Sequence, residues 1–216
     1  MYSEELVQKA AKVKAAVFDV DGVMTDASLT FDENGVEYKT FNAKDGQGVI
    51  LLNKAGIVTA IITARENGTV RYRFKNLGMT KLYEGCKNKI AALRDFMEEF
   101  NLKPEEIAYM GDDLPDICVL KTVGLPCCPN DAVDEVREHA LFVSSKNGGR
   151  GAVREMCNFI LKSTGKYDQV VSEIINRKEL CQKQLLLFAA LKTAQRKLLG
   201  IILKTEMLRL LKQILF

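Results

Sequence analysis

Residues 16–26, AVFDVDGVMTD, decide the fold of this chain. The apolar run Ala15–Phe18 predicts a buried strand, which is followed by two aspartates, Asp19 and Asp21, and then by Gly22, where the chain can turn. In open α/β sheets, ligands bind beyond the carboxyl ends of the strands. Two carboxylates at such an end are costly unless a cation balances them, and Mg²⁺ prefers oxygen ligands. We therefore predict that Asp19 and Asp21 hold Mg²⁺.

The composition is that of a globular protein whose charge is unevenly distributed. The 216 residues are 47% hydrophobic and 27% charged, which suits one ordinary domain, alone or with an appendage. The net charge is +3, but nine Lys or Arg residues lie beyond residue 175, so the preceding part is mildly acidic. This distribution argues against a nucleic-acid-binding surface on the main domain.

The six cysteines form no CxxC pair and lack the spacing of a zinc site. Several lie in apolar runs, as buried free thiols do. The N-terminal segment contains acidic residues and lacks the apolar core of a signal peptide, and no window has the roughly eighteen uncharged residues that a membrane span needs. We expect a soluble protein of the reducing cytoplasm, without an integral membrane segment.

Strand-type runs alternate with helical segments along the chain. The predicted strands are Ala15–Phe18, Leu29–Phe31, Val36–Phe41, Ile57–Thr63, Lys81–Tyr83, Ile107–Met110, Gly124–Cys128 and Leu141–Val143. The predicted helices are 3–12, 45–54 with Asp45 as its cap, 65–77, 88–100, 114–123, 131–138 and 152–161. This alternation predicts an α/β protein with a doubly wound parallel sheet and a Rossmann-like core. The Asn34-Gly35 pair predicts a small β-hairpin inserted at about residues 27–42.

Polar residues follow several of these strands. They are Asp19 and Asp21, then Thr63, then Asp112 and Asp113, with Lys89 at a helix start between them. Right-handed crossovers bring all these strand ends to one edge of the sheet. Two acid pairs, a hydroxyl and a lysine at one edge suggest phosphoryl transfer. In that reaction a protein supplies a nucleophile, a cation and donors to the phosphoryl oxygens.

The chemistry of phosphoryl transfer suggests a role for each residue. Asp19 would attack phosphorus and form an aspartyl-phosphate, and Asp21 would protonate the leaving alcohol and later activate water. Thr63 and Lys89 would hold phosphate oxygens. Asp112 would complete the Mg²⁺ site with Asp19 and Asp21.

Each of these residues also has a plainer interpretation. A DxDG sequence alone is more often a turn or a calcium-type loop, and a DxD can also serve a nucleotide-sugar transferase. Lys89 alone would be a solvated charge, and Asp113 and Asp116 could merely cap the following helix. The complete series in order favours catalysis. We assign Asp113 a supporting position beside the metal ligands and leave the role of Asp116 open.

Four motifs of the chain are similar to those of the haloacid dehalogenase (HAD) superfamily: DVDG at 19–22, Thr63, Lys89 and GDD at 111–113. The sequences FDVDGVMTD, NGVEYKTFNAKDGQGV, ITAR, YMGDDLPD and GGRGAVRE more closely resemble the 3-deoxy-D-manno-octulosonate 8-phosphate (KDO 8-phosphate) phosphatases. The resemblance extends over residues 14–167. It implies a Mg²⁺-dependent phosphoric monoester hydrolase of lipopolysaccharide biosynthesis. It also implies a hairpin in place of a large cap and a homotetramer built through the hairpins.

The resemblance further implies which residues bind a small-molecule sugar phosphate. They are Asp21, Asn42, Ala43, Lys44, Asp45, Gly46, Arg65, Arg73 and Lys89. Arg65 suits this role because a guanidinium can pair with a sugar-acid carboxylate through two hydrogen bonds. Arg73 could instead be an ordinary surface arginine. Ala64 stands where the family usually has glycine, a small change that should leave the phosphate loop working.

Two other functions are open at this point. The same scaffold carries phosphatases for nine-carbon keto acid (KDN or sialic acid-type) 9-phosphates, and it also serves as a non-catalytic assembly module. We favour the enzyme, since the catalytic series is complete. Residues 1–174 are predicted to form the phosphatase domain and residues 175–216 a basic, Leu-rich helical extension. That extension could be an oligomerisation helix, a membrane-surface helix, or a tail outside the functional unit.

Overall fold

Six parallel strands form the central sheet of the structure, a computed structural model that describes residues 2–176. They are β1 (Ala15–Phe18), β4 (Val58–Ile62), β5 (Lys81–Tyr83), β6 (Ile107–Met110), β7 (Leu125–Cys128) and β8 (Phe142–Val143). A separate pair consists of β2 (Thr30–Phe31) and β3 (Glu37–Tyr38). The helices are α1 (Glu4–Ala11), α2 (Ala43–Lys54), α3 (Gly68–Leu77), α4 (Lys89–Glu99), α5 (Ile117–Leu120), α6 (Asp134–Arg137), α7 (Ala152–Ser163) and α8 (Tyr167–Ile175). The order β5-β4-β1-β6-β7-β8 confirms the predicted doubly wound α/β fold.

β1 lies at the centre of the sheet, between β4 and β6. Its four residues are fully buried, as expected for an apolar strand that is covered on both faces. The register pairs Phe18 with Ile61 on β4 and with Met110 on β6. The residues that follow these strands, among them Asp19 and Thr63, therefore meet at one edge of the sheet.

Helices cover the sheet and hold its strand ends in place. Leu93 and Phe96 of α4 and Val119 of α5 join a buried cluster with Val17 and Tyr109 of the sheet. Helix α2 packs against α7, which α1 also contacts. Burial of apolar surface contributes on the order of 25 cal/mol per Å². The edge that carries the polar residues therefore rests on a well-packed core.

The predicted hairpin is present as β2 and β3, which pair antiparallel. Asp32 shapes its turn, because its carboxylate accepts hydrogen bonds from the backbone N–H groups of Asn34 (2.9 Å) and Val36 (2.8 Å). Gly35 adopts a φ of 77°, which glycine tolerates without strain. Each strand has only two residues and is shorter than predicted. An isolated pair of strands gains little stability by extending itself.

Asn42 rather than Asp45 caps the start of α2, so the predicted cap is wrong. The Asn42 side chain accepts a hydrogen bond from the backbone N–H of Lys44 at 2.8 Å. Asp45 is buried in the first turn and accepts hydrogen bonds from the backbone N–H groups of Gly151 (3.1 Å) and Arg154 (2.8 Å). Asp45 therefore provides hydrogen-bond acceptors for two backbone N–H groups at the start of α7 and links α2 to α7.

Three other helical segments are shorter than predicted. Helix α3 begins after its cap residue Asn67 rather than at Arg65. Residues 114–116 form a 3₁₀ turn, and only Ile117–Leu120 are α-helical. Helix α6 occupies Asp134–Arg137, less than the predicted span. Helices of a single turn depend on packing rather than on propensity, and periodicity carries little information over so few residues.

Residues 2–176 contain no helix that is both long enough and apolar enough to cross a membrane. The chain divides into one unit of residues 1–170 and another of residues 171–216, and the second is described only through residue 176. Most of the predicted Leu-rich extension, from residue 177 onward, lies outside the described residues.

Replacing Asp45 by alanine should destabilise the protein. Two N–H groups at the start of α7 lose their acceptor, which we expect to cost about 1–3 kcal/mol in the free energy of unfolding. Urea denaturation followed by circular dichroism measures this loss. The matched control is Asp32→Ala, which also removes an acceptor of two backbone hydrogen bonds but at an exposed turn that water can solvate. Equal losses in the two variants would contradict the capping role of Asp45.

Candidate active site

Three carboxylates converge where β1 and β6 end. Asp19 follows β1 and is 7% exposed, Asp112 is half-buried beyond β6, and Asp116 is fully buried. One carboxylate oxygen from each residue lies within 4.8 Å of the other two. Oxygen atoms this close suit a small, hard cation. The group differs from the predicted metal ligands, since Asp116 stands in the place expected for Asp21.

Lys89 lies against the same carboxylates. It is the first residue of α4, and its ammonium lies 2.9 Å from Asp19 and 2.7 Å from Asp116. Its side chain is 4% exposed, so the alternative of a solvated surface charge is wrong. The ammonium offsets part of the negative charge that the fold brings together here.

Asp116 organises this cluster through four hydrogen bonds. Its Oδ1 accepts from the ammonium of Lys89 (2.7 Å) and from the hydroxyl of Tyr109 (2.5 Å). Its Oδ2 accepts from the backbone N–H groups of Asp112 (3.0 Å) and Asp113 (3.3 Å). Asp116 is therefore more than a helix cap, because it holds Lys89 and the backbone of Asp112 and Asp113 in fixed positions.

Asp113 does not direct its carboxylate at the cluster. Its side chain is exposed, accepts a hydrogen bond from the backbone N–H of Leu114 at 2.8 Å and caps the 3₁₀ turn. Only its backbone N–H reaches the cluster, where it donates to Asp116. We predicted that the Asp113 side chain would support the metal ligands. In the structure it instead caps the 3₁₀ turn, which was the alternative interpretation of the sequence.

Burial and mutual repulsion change the ionisation of the clustered groups. Burial, together with the charge of Asp116, raises the pKa of Asp19 to about 7. Burial, together with Asp19, raises the pKa of Asp112 to about 8. Burial alone would lower the pKa of Lys89, but the neighbouring carboxylates outweigh it and raise that pKa above its ordinary value. The cluster therefore favours the arrival of a further positive charge.

One oxygen of the cluster points to where that charge would bind. Asp112 Oδ1 is buried and has no hydrogen-bond partner among the described residues. Such an oxygen is costly unless a donor or a cation meets it. Gly22, with a φ of 82°, lets the Asp112 carboxylate lie against the turn that carries Asp19 and Asp21, since a Cβ there would overlap that carboxylate. Both observations fit a cation held by Asp19 and Asp112.

Thr63 is fixed at the same edge of the sheet, just beyond β4. Its backbone N–H donates to the carbonyl of Tyr83 (2.9 Å), and its carbonyl accepts from the N–H of Cys86 (2.9 Å). The buried hydroxyl accepts a hydrogen bond from the backbone N–H of Arg65 at 3.4 Å. The backbone of Thr63 is therefore fixed by Tyr83 and Cys86, and its hydroxyl is fixed by Arg65.

Asp21 faces a different group of residues. Its carboxylate pairs with the ammonium of Lys39 from the hairpin and lies 3.8 Å from Nε of Arg65. Glu37 contacts both cations, at 2.8 Å from Lys39 and 3.4 Å from Arg65. Lys39 and Glu37 are not among the residues predicted for the site, because alternating charged residues in a short strand usually indicate a solvated face.

Arg73 lies beside the start of α2 and is half-buried, so it is not an ordinary surface arginine. Its Nη2 donates to the carbonyl of Asn42 at 3.1 Å. A Cβ on Gly46 would overlap the guanidinium, so glycine at this position lets Arg73 approach the helix. Its Nε is buried without a hydrogen-bond partner among the described residues.

The predicted substrate segment borders a cavity of about 330 Å³. Asn42, Ala43 and Lys44 line it, together with Arg150 from the loop before α7. Asp45 is buried and turned toward α7, so its carboxylate is already occupied by backbone donors. The structure therefore gives Asp45 a structural role rather than an open position for substrate.

Gly148 and Gly149 of the GGRG sequence pack against the turn that follows β1. The N–H of Gly149 donates to the carbonyl of Val23 at 2.9 Å, and the side chain of Asn42 donates to the carbonyl of Gly149 at 3.2 Å. A Cβ on either glycine would overlap backbone atoms of residues 22–26. The GGRG sequence thus joins the DxDG turn to the start of α2.

Known proteins resemble this chain in sequence. The family model described as haloacid dehalogenase-like hydrolase matches residues 58–156. The chain is 39% identical over 173 residues to the 3-deoxy-D-manno-octulosonate 8-phosphate phosphatase KdsC of Escherichia coli strain K12. That match covers 80% of this chain and 92% of the Escherichia coli protein.

Solved structures resemble it in fold as well. The crystal structure of 3-deoxy-D-manno-octulosonate 8-phosphate phosphatase from Yersinia pestis is 38% identical, with a TM-score of 0.75, and the match covers 76% of this chain and 89% of that one. The phosphatase of the same name from Moraxella catarrhalis, in complex with a magnesium ion, a phosphate ion and KDO, is 33% identical with a TM-score of 0.78. This second match covers 80% of this chain and 99% of that one.

Replacing Lys89 by methionine should destabilise the metal-free protein. Two buried carboxylates lose their cationic partner, which we expect to cost about 3 kcal/mol or more in the free energy of unfolding. Urea denaturation in the presence of EDTA measures the loss. The control is Lys81→Met, which breaks the surface pair with Glu99 and should change stability little. An equal loss of unfolding free energy in both variants would show that the buried ion pairs of Lys89 stabilise the protein no more than a surface pair does.

Proposed function

The chain belongs to the 3-deoxy-D-manno-octulosonate 8-phosphate phosphatases, within the haloacid dehalogenase-like hydrolases, and we propose that it hydrolyses KDO 8-phosphate to KDO and phosphate. The observation that carries the proposal is the buried Asp19, which lies 2.9 Å from Lys89 and shares a carboxylate cluster with Asp112. A nucleophile, a cation site and an ammonium at one strand edge are what phosphoryl transfer requires. The 39% identity to the Escherichia coli phosphatase supports the eight-carbon substrate.

In this proposal the reaction takes two steps through a covalent intermediate. A carboxylate oxygen of Asp19 forms a bond to phosphorus while the bond between phosphorus and the sugar C8 oxygen breaks. Asp21 gives its proton to that oxygen, so that the sugar leaves as an alcohol. Asp21 then takes a proton from water, which attacks the phosphorus of the aspartyl-phosphate and releases phosphate and the Asp19 carboxylate.

Thr63 and Lys89 hold the phosphoryl oxygens in this mechanism. The backbone hydrogen bonds of Thr63 and the contact between Lys89 and Asp116 support these roles, because donors fixed before the reaction need no reorganisation during it. Lys89 also favours the ionised form of Asp19, which is the form that attacks phosphorus.

The residues at the end of β1 fit Mg²⁺ as the cofactor. Asp19 and Asp112 are the proposed ligands, since Asp112 has a buried oxygen without a partner and glycine at position 22 lets its carboxylate lie against the turn that follows β1. Asp21 was also predicted as a ligand, but its carboxylate pairs with the ammonium of Lys39, so we propose that it transfers protons rather than holds the metal. When bound, Mg²⁺ would neutralise negative charge on the phosphoryl group and hold it in line for attack.

The sugar acid would lie toward Arg65. This guanidinium is 45% exposed and is held near Asp21 and Glu37, which supports a role in binding the sugar carboxylate. The cavity beside Asn42 and Lys44 offers further polar groups to the sugar hydroxyls. We propose this surface as the sugar-binding side of the site.

The alternatives have weaker support. The Yersinia pestis and Moraxella catarrhalis relatives carry the name of the eight-carbon phosphatase rather than of a nine-carbon one. A non-catalytic assembly module would not need to keep a buried lysine among carboxylates. The cytoplasm remains the proposed compartment, supported by the five free cysteines among the described residues. The domain boundary near residue 174 stays a prediction, supported by the division of the chain after residue 170.

We also propose a homotetramer in which the hairpins meet. The support is a group of large apolar side chains on the hairpin that are about half exposed: Leu29, Phe31, Val36 and Tyr38. The register pairs Phe31 with Glu37 and Thr30 with Tyr38, so these side chains lie on both faces of the hairpin. Exposed apolar groups of this size often mark contacts between proteins. A tetramer would bury them.

The decisive test of the activity is phosphate release from a panel of sugar phosphates, with Mg²⁺ and after EDTA treatment. We expect Mg²⁺-dependent hydrolysis with a preference for KDO 8-phosphate over a nine-carbon keto acid 9-phosphate. Asp19→Asn removes the attacking charge with little change of volume. It should lower kcat about a thousandfold or more while the thermal unfolding midpoint stays close to that of the unaltered protein.

The outcomes of this test separate the hypotheses. Preference for the nine-carbon substrate would replace the proposed one. Activity retained in a folded Asp19→Asn variant would exclude the aspartyl-phosphate. Failure to release phosphate from any substrate would favour the assembly module.

Replacing Phe31 by glutamate should break the proposed tetramer. A charge buried between hairpins would be strongly unfavourable, so light scattering after size-exclusion chromatography should report a smaller species. The control is Tyr72→Glu on α3, where an aromatic side chain outside the hairpin is 72% exposed. An unaltered tetramer in Phe31→Glu would refute assembly through this surface.

A further inference from the structure

Lys39 is a buried lysine that has no role in the reaction steps proposed above. It follows β3 in the hairpin, and its side chain is only 1% exposed, less than that of Lys89. Its ammonium pairs with Oδ1 of Asp21 and lies 2.8 Å from Oε1 of Glu37. Burial of an ammonium is costly unless carboxylates meet it. The hairpin thus carries a charged group that is directed at the site rather than at solvent.

Four residues of alternating charge form a closed ring around this contact. Asp21 meets Lys39, Lys39 meets Glu37, Glu37 lies 3.4 Å from Arg65, and Arg65 lies 3.8 Å from Oδ2 of Asp21. The Lys39 ammonium also holds the pKa of Glu37 below its ordinary value. The ring joins three separate segments: the turn after β1, the hairpin and the loop after β4.

The hairpin is also fixed from the other side of the ring. The side chain of Asn67, the N-cap of α3, donates to the backbone carbonyl of Glu37 at 3.5 Å. Glu37 is therefore held through its backbone by α3 and through its carboxylate by two cations. This arrangement gives Lys39 a fixed position from which to act on Asp21.

We infer that Lys39 is a positioning residue for Asp21, an inference that rests on the proposed phosphatase function. The terminal torsion of an aspartate is broad, so its carboxylate plane is free to turn unless partners fix it. Lys39 holds Oδ1 and Arg65 approaches Oδ2, so cations define the plane from both sides. The carboxyl group is then oriented for proton exchange with the leaving oxygen before substrate arrives.

This role has a consequence that depends on the leaving group. An alkoxide leaving from a sugar needs a proton from Asp21, whereas p-nitrophenolate is stable enough to leave without one. Misorientation of Asp21 should therefore slow sugar phosphate hydrolysis much more than p-nitrophenyl phosphate hydrolysis. A residue that merely stabilises the fold would affect both substrates alike.

The experiment compares Lys39→Met with the unaltered full-length protein on KDO 8-phosphate and on p-nitrophenyl phosphate, both with saturating Mg²⁺. Methionine keeps the approximate length of the side chain and removes the charge. We expect kcat/KM to fall about tenfold to a hundredfold for the sugar phosphate and by less than about threefold for the aryl phosphate. The control is Lys14→Met, which breaks a lysine–carboxylate pair with Glu106 at the opposite end of β1 and should leave both values unchanged.

A double substitution distinguishes action through Asp21 from an independent effect. In the Asp21→Asn background, Lys39→Met should cause little further loss on the sugar phosphate, because the group it orients is already gone. Thermal unfolding checks that each variant is folded. If Lys39→Met does not fold, Lys39→Gln provides the same comparison, since it also removes the charge but leaves a polar group that Glu37 can meet.

The outcomes are separable from those of the proposed function. An unaltered protein that hydrolyses no phosphate ester would overturn the proposed function and this inference with it. An active protein in which Lys39→Met slows both substrates equally, or slows neither, would overturn the positioning role alone. The positioning role would also be overturned if the losses of sugar phosphate hydrolysis from Asp21→Asn and Lys39→Met simply added in the double variant.

Discussion

The end of β1 holds negative charge at a position where burial leaves little water to screen it. Asp19, Asp112 and Asp116 bring carboxylate oxygens within 4.8 Å of one another, and Lys89 is the cation that meets two of them. This requirement fixes several elements at once. Helix α4 must begin where its first residue can reach Asp19, and the turn after β6 must direct Asp116 inward. The strand order and the position at which α4 begins therefore both contribute to balancing the charge of these carboxylates with that of Lys89.

A second constraint is the close approach of backbones around this charge. Gly22 lies against the Asp112 carboxylate, and Gly148 and Gly149 lie against residues 22–26, in each case without space for a Cβ. Asn42 and Asp45 then tie the start of α2 to this loop and to α7 through hydrogen bonds. The glycines and the two polar side chains therefore hold the turn after β1 from outside, while the carboxylate cluster holds it from inside.

Local patterns in the sequence were sufficient to predict the sheet, the hairpin and the residues that follow the strands. An apolar run such as Ala15–Phe18 predicts a strand, and the Asn34-Gly35 pair predicts a hairpin, because both structures depend on a few neighbouring residues. The errors concern contacts between distant segments. Asp45 resembles a cap for its own helix, but its hydrogen bonds go to residues more than a hundred positions away. Asp116 and Lys39 likewise gain their importance from partners that only the folded chain brings near.

The hairpin shows how one short element can serve two surfaces. Side chains alternate along a strand, so Val36 and Tyr38 face outward while Glu37 and Lys39 turn toward the site. The outward face carries the exposed side chains of Val36 and Tyr38, which suit assembly, and the inward face carries Lys39, which contacts Asp21, with Phe31 opposite Glu37. Since the same four residues carry both faces, a shift of one residue in register would exchange them and would remove Lys39 from Asp21. The Asp32 turn, which fixes that register, therefore contributes to the geometry of the site although it lies at the exposed end of the hairpin.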